Sequence, residues 1–344
     1  METVNITPYR FLGGFVQNRS VGRVIAQFED FAQDGSTSSS LMMWNKNKGQ
    51  WHHFNLGWTV IALHVAKAGM TALGADGLVF SADSAGTREE RIDNSERGPA
   101  HRGPLTDMCY IGDHLYVAGV KRQVYRLDKE DGWTRADKGT VVPLDSKEDA
   151  GFDSIHGLDE STLFAVGYGG EIWRCKNGEW NKEDSPTSNN LHCVRMIGPS
   201  LAYATGKNGT LLRWDGDNWS VIEQDATEND LWGIQDFKDK LYIASDDGLF
   251  TLENDDSLSA VFTIPGVVPT CKNLHANDGV MWSFAPKHVA WTEDAATWHN
   301  VTPGATAIDS SDEEPEGGSC GCGQEHVNPG HIGGAMPTGG GHKI

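Results

Sequence analysis

The sequence predicts an all-β fold: a single seven-bladed β-propeller followed by an irregular C-terminal tail rich in Gly, Cys and His. Three observations carry that prediction. One phrase recurs along the chain at a nearly fixed period, which is the signature of a repeat architecture. Each copy reads as two apolar runs joined by a Gly turn and closed by a polar hairpin, which is strand-pair chemistry. With 41 Gly and 12 Trp in 344 residues, the composition suits a turn-rich β protein.

The phrase is clearest at 163–180 (LFAVGYGGEIWRCKNGEW) and 201–219 (LAYATGKNGTLLRWDGDNW). Gly74, Gly119, Gly167 and Gly206 close the first apolar run, and Ser245 and Phe284 take that place in two later copies. The steps are 45, 48, 39, 39 and 39 residues, the length of four strands and their turns. In Asp76-Gly77, Gly169-Gly170 and Asn208-Gly209 the Gly supplies the positive φ of a tight turn.

The second to seventh copies span 59–92, 105–137, 152–184, 191–223, 231–262 and 271–301. The first is degenerate: 9–15, 21–28, then 41–54 as its hairpin. Because that copy is weak, six or eight blades stay open. Short apolar runs ahead of each phrase (105–111, 152–158, 191–197, 231–237, 271–276) are the expected inner strands around the channel. The short polar runs 134–137, 181–184 and 220–223 are the expected outer edges, whose charge discourages edge-to-edge pairing. Trp51, Trp133, Trp180, Trp219 and Trp298 share one repeat position and are expected to pack between blades. Arg126, Arg174 and Arg213 share another and are expected to bridge neighbouring hairpins. The propeller is assigned to 1–302 and the tail to 303–344.

The segment 81–88 (SADSAGTR) resembles the Asp-box hairpin S-x-D-x-G-x-T-W, with Ala85 for the Gly and Arg88 for the Trp. Residues 292–298 (TEDAATW) resemble the same box one residue shorter. Over about 59–300 the repeat is similar to the BNR/Asp-box and photosystem-II-assembly-factor-like (WD40/YVTN-like) propeller superfamily. The resemblance implies a propeller in which the box is a structural rim hairpin, and it does not import glycosidase activity.

A formal net charge of −20 disfavours phosphate-backbone binding and anionic membranes, so nucleic acid and membrane are not expected partners. No apolar run approaches a membrane span, and the start METVNITPYRFLGGF lacks the basic and apolar regions of a secretory signal. A cytoplasmic location is expected, with non-classical export left open. Cys109, Cys175, Cys193 and Cys271 fall in or beside apolar runs and read as buried free thiols.

After Pro303 the pattern stops. Residues 309–316 (DSSDEEPE) form an acidic linker. Cys320, Cys322, His326, His331 and His342 follow in a Gly-rich stretch. Thiolate and imidazole donors so close together suit zinc or copper, and Cys320, Cys322, His326 and His331 are the candidate ligands. The Cys-x-Cys spacing is not that of a standard structural zinc site, so a docking peptide and a plain flexible extension stay open.

No nucleophile elbow, phosphate loop, metalloprotease helix or dinucleotide fingerprint is present. His156, His192 and His275 fall near the inner strands of three blades and are the one constellation to test for a metal or a proton shuttle. The expected function is a non-enzymatic platform that binds another protein, such as a toxin or an assembly partner, through one face. The loops 29–40, 89–104 and 138–151 would be its specificity elements. The alternatives are a sialidase-like propeller that binds or hydrolyses glycans, and a metal-binding protein acting through the tail.

Overall fold

Seven four-stranded antiparallel sheets follow one another along the chain of the computed structural model. The structure describes residues 5–6, 8–28, 38–66, 69–261, 270–303 and 306–307. Every blade is a meander of four consecutive strands. Blade 4, for example, runs through Phe152–Asp159, Thr162–Gly167, Ile172–Lys176 and Glu179–Glu183. The degenerate first copy is a full blade: Tyr9–Asn18, Val21–Phe28, Ser39–Asn45 and Gln50–Leu56. An additional two-residue ladder pairs Asn5 with Ala307 and Ile6 with Thr306.

The repeat phrase maps onto the second to fourth strands, with one correction. The pairing Asn273↔Phe284 corresponds to Gly233↔Ala244 in the blade before, so Ala285 and not Phe284 stands at the marker position. The last step is therefore one residue longer than the sequence reading. The tight turns have the expected backbone, with Gly77 at φ 84° and Gly209 at φ 69°. At Gly209 a Cβ would also lie 2.4 Å from the Thr227 carbonyl oxygen. In the two Asp-box-like hairpins the carboxylate caps its own turn. Asp83 Oδ1 accepts from the Ala85 N–H at 2.7 Å, and Asp294 Oδ1 accepts from Ala296 at 2.9 Å and Thr297 at 2.7 Å.

The core lies between blades. Each of the seven hydrophobic clusters draws on two neighbouring blades; one joins Phe164, Val166 and Ile172 of blade 4 to Leu191, Trp214 and Trp219 of blade 5. The repeated Trp residues belong to these seams. Trp180 donates its indole N–H to the Ala136 carbonyl of the preceding blade at 2.8 Å, and Trp51 donates to Val301 at 2.9 Å. The repeated Arg residues cross the same boundaries. Arg213 pairs with Asp256 at 2.7 Å, Arg126 reaches Glu160 at 3.6 Å, and Arg174 lies over the Trp214 ring at 5.6 Å.

Among the described residues no helix is long and apolar enough to cross a membrane. Cys109, Cys175, Cys193 and Cys271 are free. Burial pushes the Cys109 and Cys271 thiols up to about 12 and Cys193 to about 11. The assignment of Cys320, Cys322, His326 and His331 lies outside the described residues.

Candidate recognition face and channel

In a meander the first-to-second and third-to-fourth turns share one face, and the remaining connections share the other. The loops 89–104 and 138–151 both emerge on that other face, beside each other. Of the third expected element, 29–40, residues 29–37 lie outside the described residues.

The 138–151 loop is held by main-chain bonds to the Lys121-Arg122 turn of blade 3, whose two residues have φ 54°. Lys121 donates its N–H to Ala150 at 2.7 Å and its ammonium to Leu144 at 2.8 Å, and Val142 donates back to Lys121 at 3.2 Å. Arg122 ties the same turn to Glu171 at 2.7 Å and Glu148 at 2.5 Å. The neighbouring loop carries a one-turn helix, Pro99–Arg102, with Pro at its first turn, where its missing N–H costs nothing. The buried Arg102 donates to the Val142 carbonyl, and Arg135 donates to the Arg97 carbonyl at 3.1 Å. The first bond joins the two loops and the second ties loop 89–104 to the outer strand of blade 3, around a cleft of about 390 Å³ lined by Arg97, Arg102, Arg135 and the 141–144 segment.

A cavity of about 440 Å³ occupies the channel. In blades 1 to 6 the inner strand carries a bulge, at its fourth residue in blade 1 and its second in the others, which places Leu12, Ile61, Thr106, Asp153, His192 and Trp232 on the channel wall. At these bulge positions the wall is apolar on blades 1 and 2 and polar on blades 4 and 5. An inner strand turns one unpaired edge to the channel, and its N–H groups need acceptors. Side chains of the preceding blade supply them. Asp107 Oδ2 accepts from Ile155 at 2.9 Å, Ser154 Oγ from Val194 at 3.3 Å, His156 Nδ1 from Met196 at 3.1 Å and His275 Nδ1 from Val16 at 3.2 Å.

All three sequence candidates therefore reach the channel, but they do different work. His156 and His275 are neutral acceptors, and desolvation lowers each from 6.5 to about 3. His192 sits one level away, between Asp153 at 3.3 Å and Asp230 at 3.7 Å, with its ring stacked on Trp232 at 4.3 Å. Sequence reasoning missed His64 as a channel residue. It occupies the level of His156 and His275, and burial lowers it to about 4. Its distance from the Gly74 marker was the available signal. Among the described residues no three His, Cys, Asp or Glu side chains gather as metal ligands.

Fold and site together define a closed propeller scaffold with its described long loops, 89–104 and 138–151, bonded together on one face. No family model matches the chain. The WD40 β-propeller domain of Doa1 superposes with a TM-score of 0.64 at 10% identity, covering 84% of this chain and 94% of that one. YCF48 bound to D1 peptide superposes with a TM-score of 0.60 at 12% identity, covering 84% and 95%. These likenesses show the fold alone. Immune protein Tsi7 of Pseudomonas aeruginosa is 34% identical over 229 residues, which is 67% of this chain and 74% of that protein. The chain belongs to the Tsi7 immune protein family.

Proposed function

We propose that the chain is an immunity protein that neutralises a protein toxin by binding it through the face carrying loops 89–104 and 138–151. The carrying observation is the fixing of those two loops, to each other by the Arg102 bond to Val142 and to blade 3 by Arg135, which presents a shaped surface in advance of any partner. Kinship with a protein named as an immune protein supports this reading. So does YCF48, a propeller of the same fold with a bound peptide.

The reading places the protein in the cytoplasm and gives it no nucleic-acid partner, in keeping with its −20 charge. It groups the chain with BNR/Asp-box propellers on the strength of the Asp83 and Asp294 turns. It also treats Cys320, Cys322, His326 and His331 as a separate zinc or copper site, supported by their soft donors and tested by elemental analysis of protein purified without chelator. The main test is affinity capture from native cells, then co-expression of the captured protein in a sensitive host. Rescue of growth by this chain is expected. Specific binding on a glycan array with no captured protein would replace the reading with the glycan alternative.

A further inference from the structure

The cleft between the two locked loops holds cations without matching anions. Arg135 takes up both nearby carboxylates: it chelates Asp137 through two nitrogens and lies 3.7 Å from Asp93. Arg102 is 6% exposed and has only carbonyl partners, those of Arg97 at 3.3 Å and of Val142. Arg97 is exposed at the rim. Among the described residues neither Arg97 nor Arg102 has a carboxylate oxygen within 4.0 Å. A guanidinium does not discharge by losing its proton, so a buried one without a counter-charge is left incompletely compensated. Burial and the neighbouring Arg135 lower the proton affinity of Arg102, and the nearby Asp137, already chelated by Arg135, offsets this only in part.

The rest of the lining is apolar. Val141 and Leu144 are 37% and 41% exposed, and they flank the buried Val142 on a segment whose backbone is pinned to blade 3. On a chain of net charge −20 such a combination selects an unusual guest. We propose that this cleft receives an Asp or Glu side chain of the partner protein, flanked by an apolar residue, with Arg97 and Arg102 pairing the carboxylate and Val141 and Leu144 covering the apolar neighbour. The proposal rests on the immunity reading for the identity of its partner and on the cleft alone for its chemistry. Planar guanidinium groups suit a planar carboxylate, and a desolvated charge pair gives orientation as well as affinity.

Two arms test it on the full chain. In the first, protein with isotope-labelled arginine is titrated with N-acetyl-Leu-Glu-amide, N-acetyl-Leu-Gln-amide and inorganic phosphate. Saturable shifts of the Arg97 and Arg102 Nε signals are expected with the Glu dipeptide, and binding roughly fivefold or more weaker with the other two. No saturable shift, an equal response to the Gln dipeptide, or tighter binding of phosphate overturns the proposal. In the second arm, Arg97→Glu and Leu144→Asp are expected to weaken binding of the captured partner by roughly tenfold or more with unchanged melting temperature. Partner affinity unchanged in both variants overturns the cleft and leaves the immunity reading standing. Dipeptide shifts with no captured protein remove the immunity reading and leave the cleft.

Discussion

The boundary between blades 4 and 5 and the boundary between blades 7 and 1 do the same job with different chain logic. The first joins neighbours in sequence. The second closes the ring, and among the described residues no strand is shared across it, since blades 1 and 7 are each four consecutive strands. Both bury a full hydrophobic cluster. Both satisfy an inner-strand N–H with a histidine, His156 to Met196 in one and His275 to Val16 in the other. The closing boundary adds more. Asn277 donates to the Val16 and Gln17 carbonyls at 3.2 Å, Glu293 pairs with Arg19 and Lys46, and the Lys46 ammonium lies 4.1 Å over the Trp291 ring. Beside the bond from the Phe11 N–H to the Pro286 carbonyl at 3.1 Å, the closing boundary thus carries more polar side-chain contacts than the boundary between blades 4 and 5.

The largest effect should come from Trp282→Ala. Trp282 is 3% exposed and packs where a Cβ on Gly22 would stand only 2.4 Å from its ring. A loss of about 3–5 kcal/mol is expected in urea unfolding, similar to Phe164→Ala at the internal boundary. Hydrogen exchange sharpens the comparison. Trp282→Ala should raise exchange in blades 1 and 7 before the others, and uniform exchange around the ring would contradict the closing boundary as the point of opening.

Acid comes next. His156 and His275 take up a proton near 6.5 when unfolded and only near about 3 when folded. Their contribution is complete above about 6.5 and is lost as pH falls toward 3. Glu293 behaves as a carboxylate held down to about 2 by Arg19 and Lys46, so its contribution is present above 4.5 and lost as pH falls through about 2. Between pH 6.5 and 4.5 the slope of stability therefore belongs to the histidines and not to Glu293. Urea midpoints across that window should flatten by similar amounts in His156→Gln and His275→Gln and stay unchanged in slope in Glu293→Gln.

A smaller loss, about 1–3 kcal/mol at neutral pH, is expected for His275→Ala, because the Val16 N–H then lacks its acceptor. His156→Ala should match it, and a twofold difference would show that one boundary admits water more readily. Glu293→Gln should do least. Its partners are solvent-accessible, so the change should shrink further at high salt.

Much of the ring was legible because its turns demand particular residues. At the markers Gly119, Gly167 and Gly206 a Cβ would stand 2.6, 2.0 and 2.2 Å from a backbone carbonyl oxygen, so the period survives in the sequence as glycine. The last marker slipped by one because Ala285, which fills it, carries no such demand, and the bulky Phe284 beside it looked like the end of the run. The interblade role of the Trp positions was legible from their recurrence. The arginine cleft was not, because Arg97, Arg102 and Arg135 belong to a loop, a one-turn helix and an outer strand with no common spacing. The channel histidines were half legible. Their place followed from the inner strands, but the N–H groups they satisfy belong to another blade, and no local pattern encodes that pairing.

The ladder between Asn5–Ile6 and Thr306–Ala307 has a further meaning. It sets the first and last described strands of the ring side by side, while every blade remains a self-sufficient run of four strands. A gene could therefore be rewritten to join residue 307 to residue 5 through a short linker and to begin at another blade boundary, for instance within 185–190. Such a circular permutant keeps every strand pair of the seven sheets and only relocates the break to a partly exposed connection between blades.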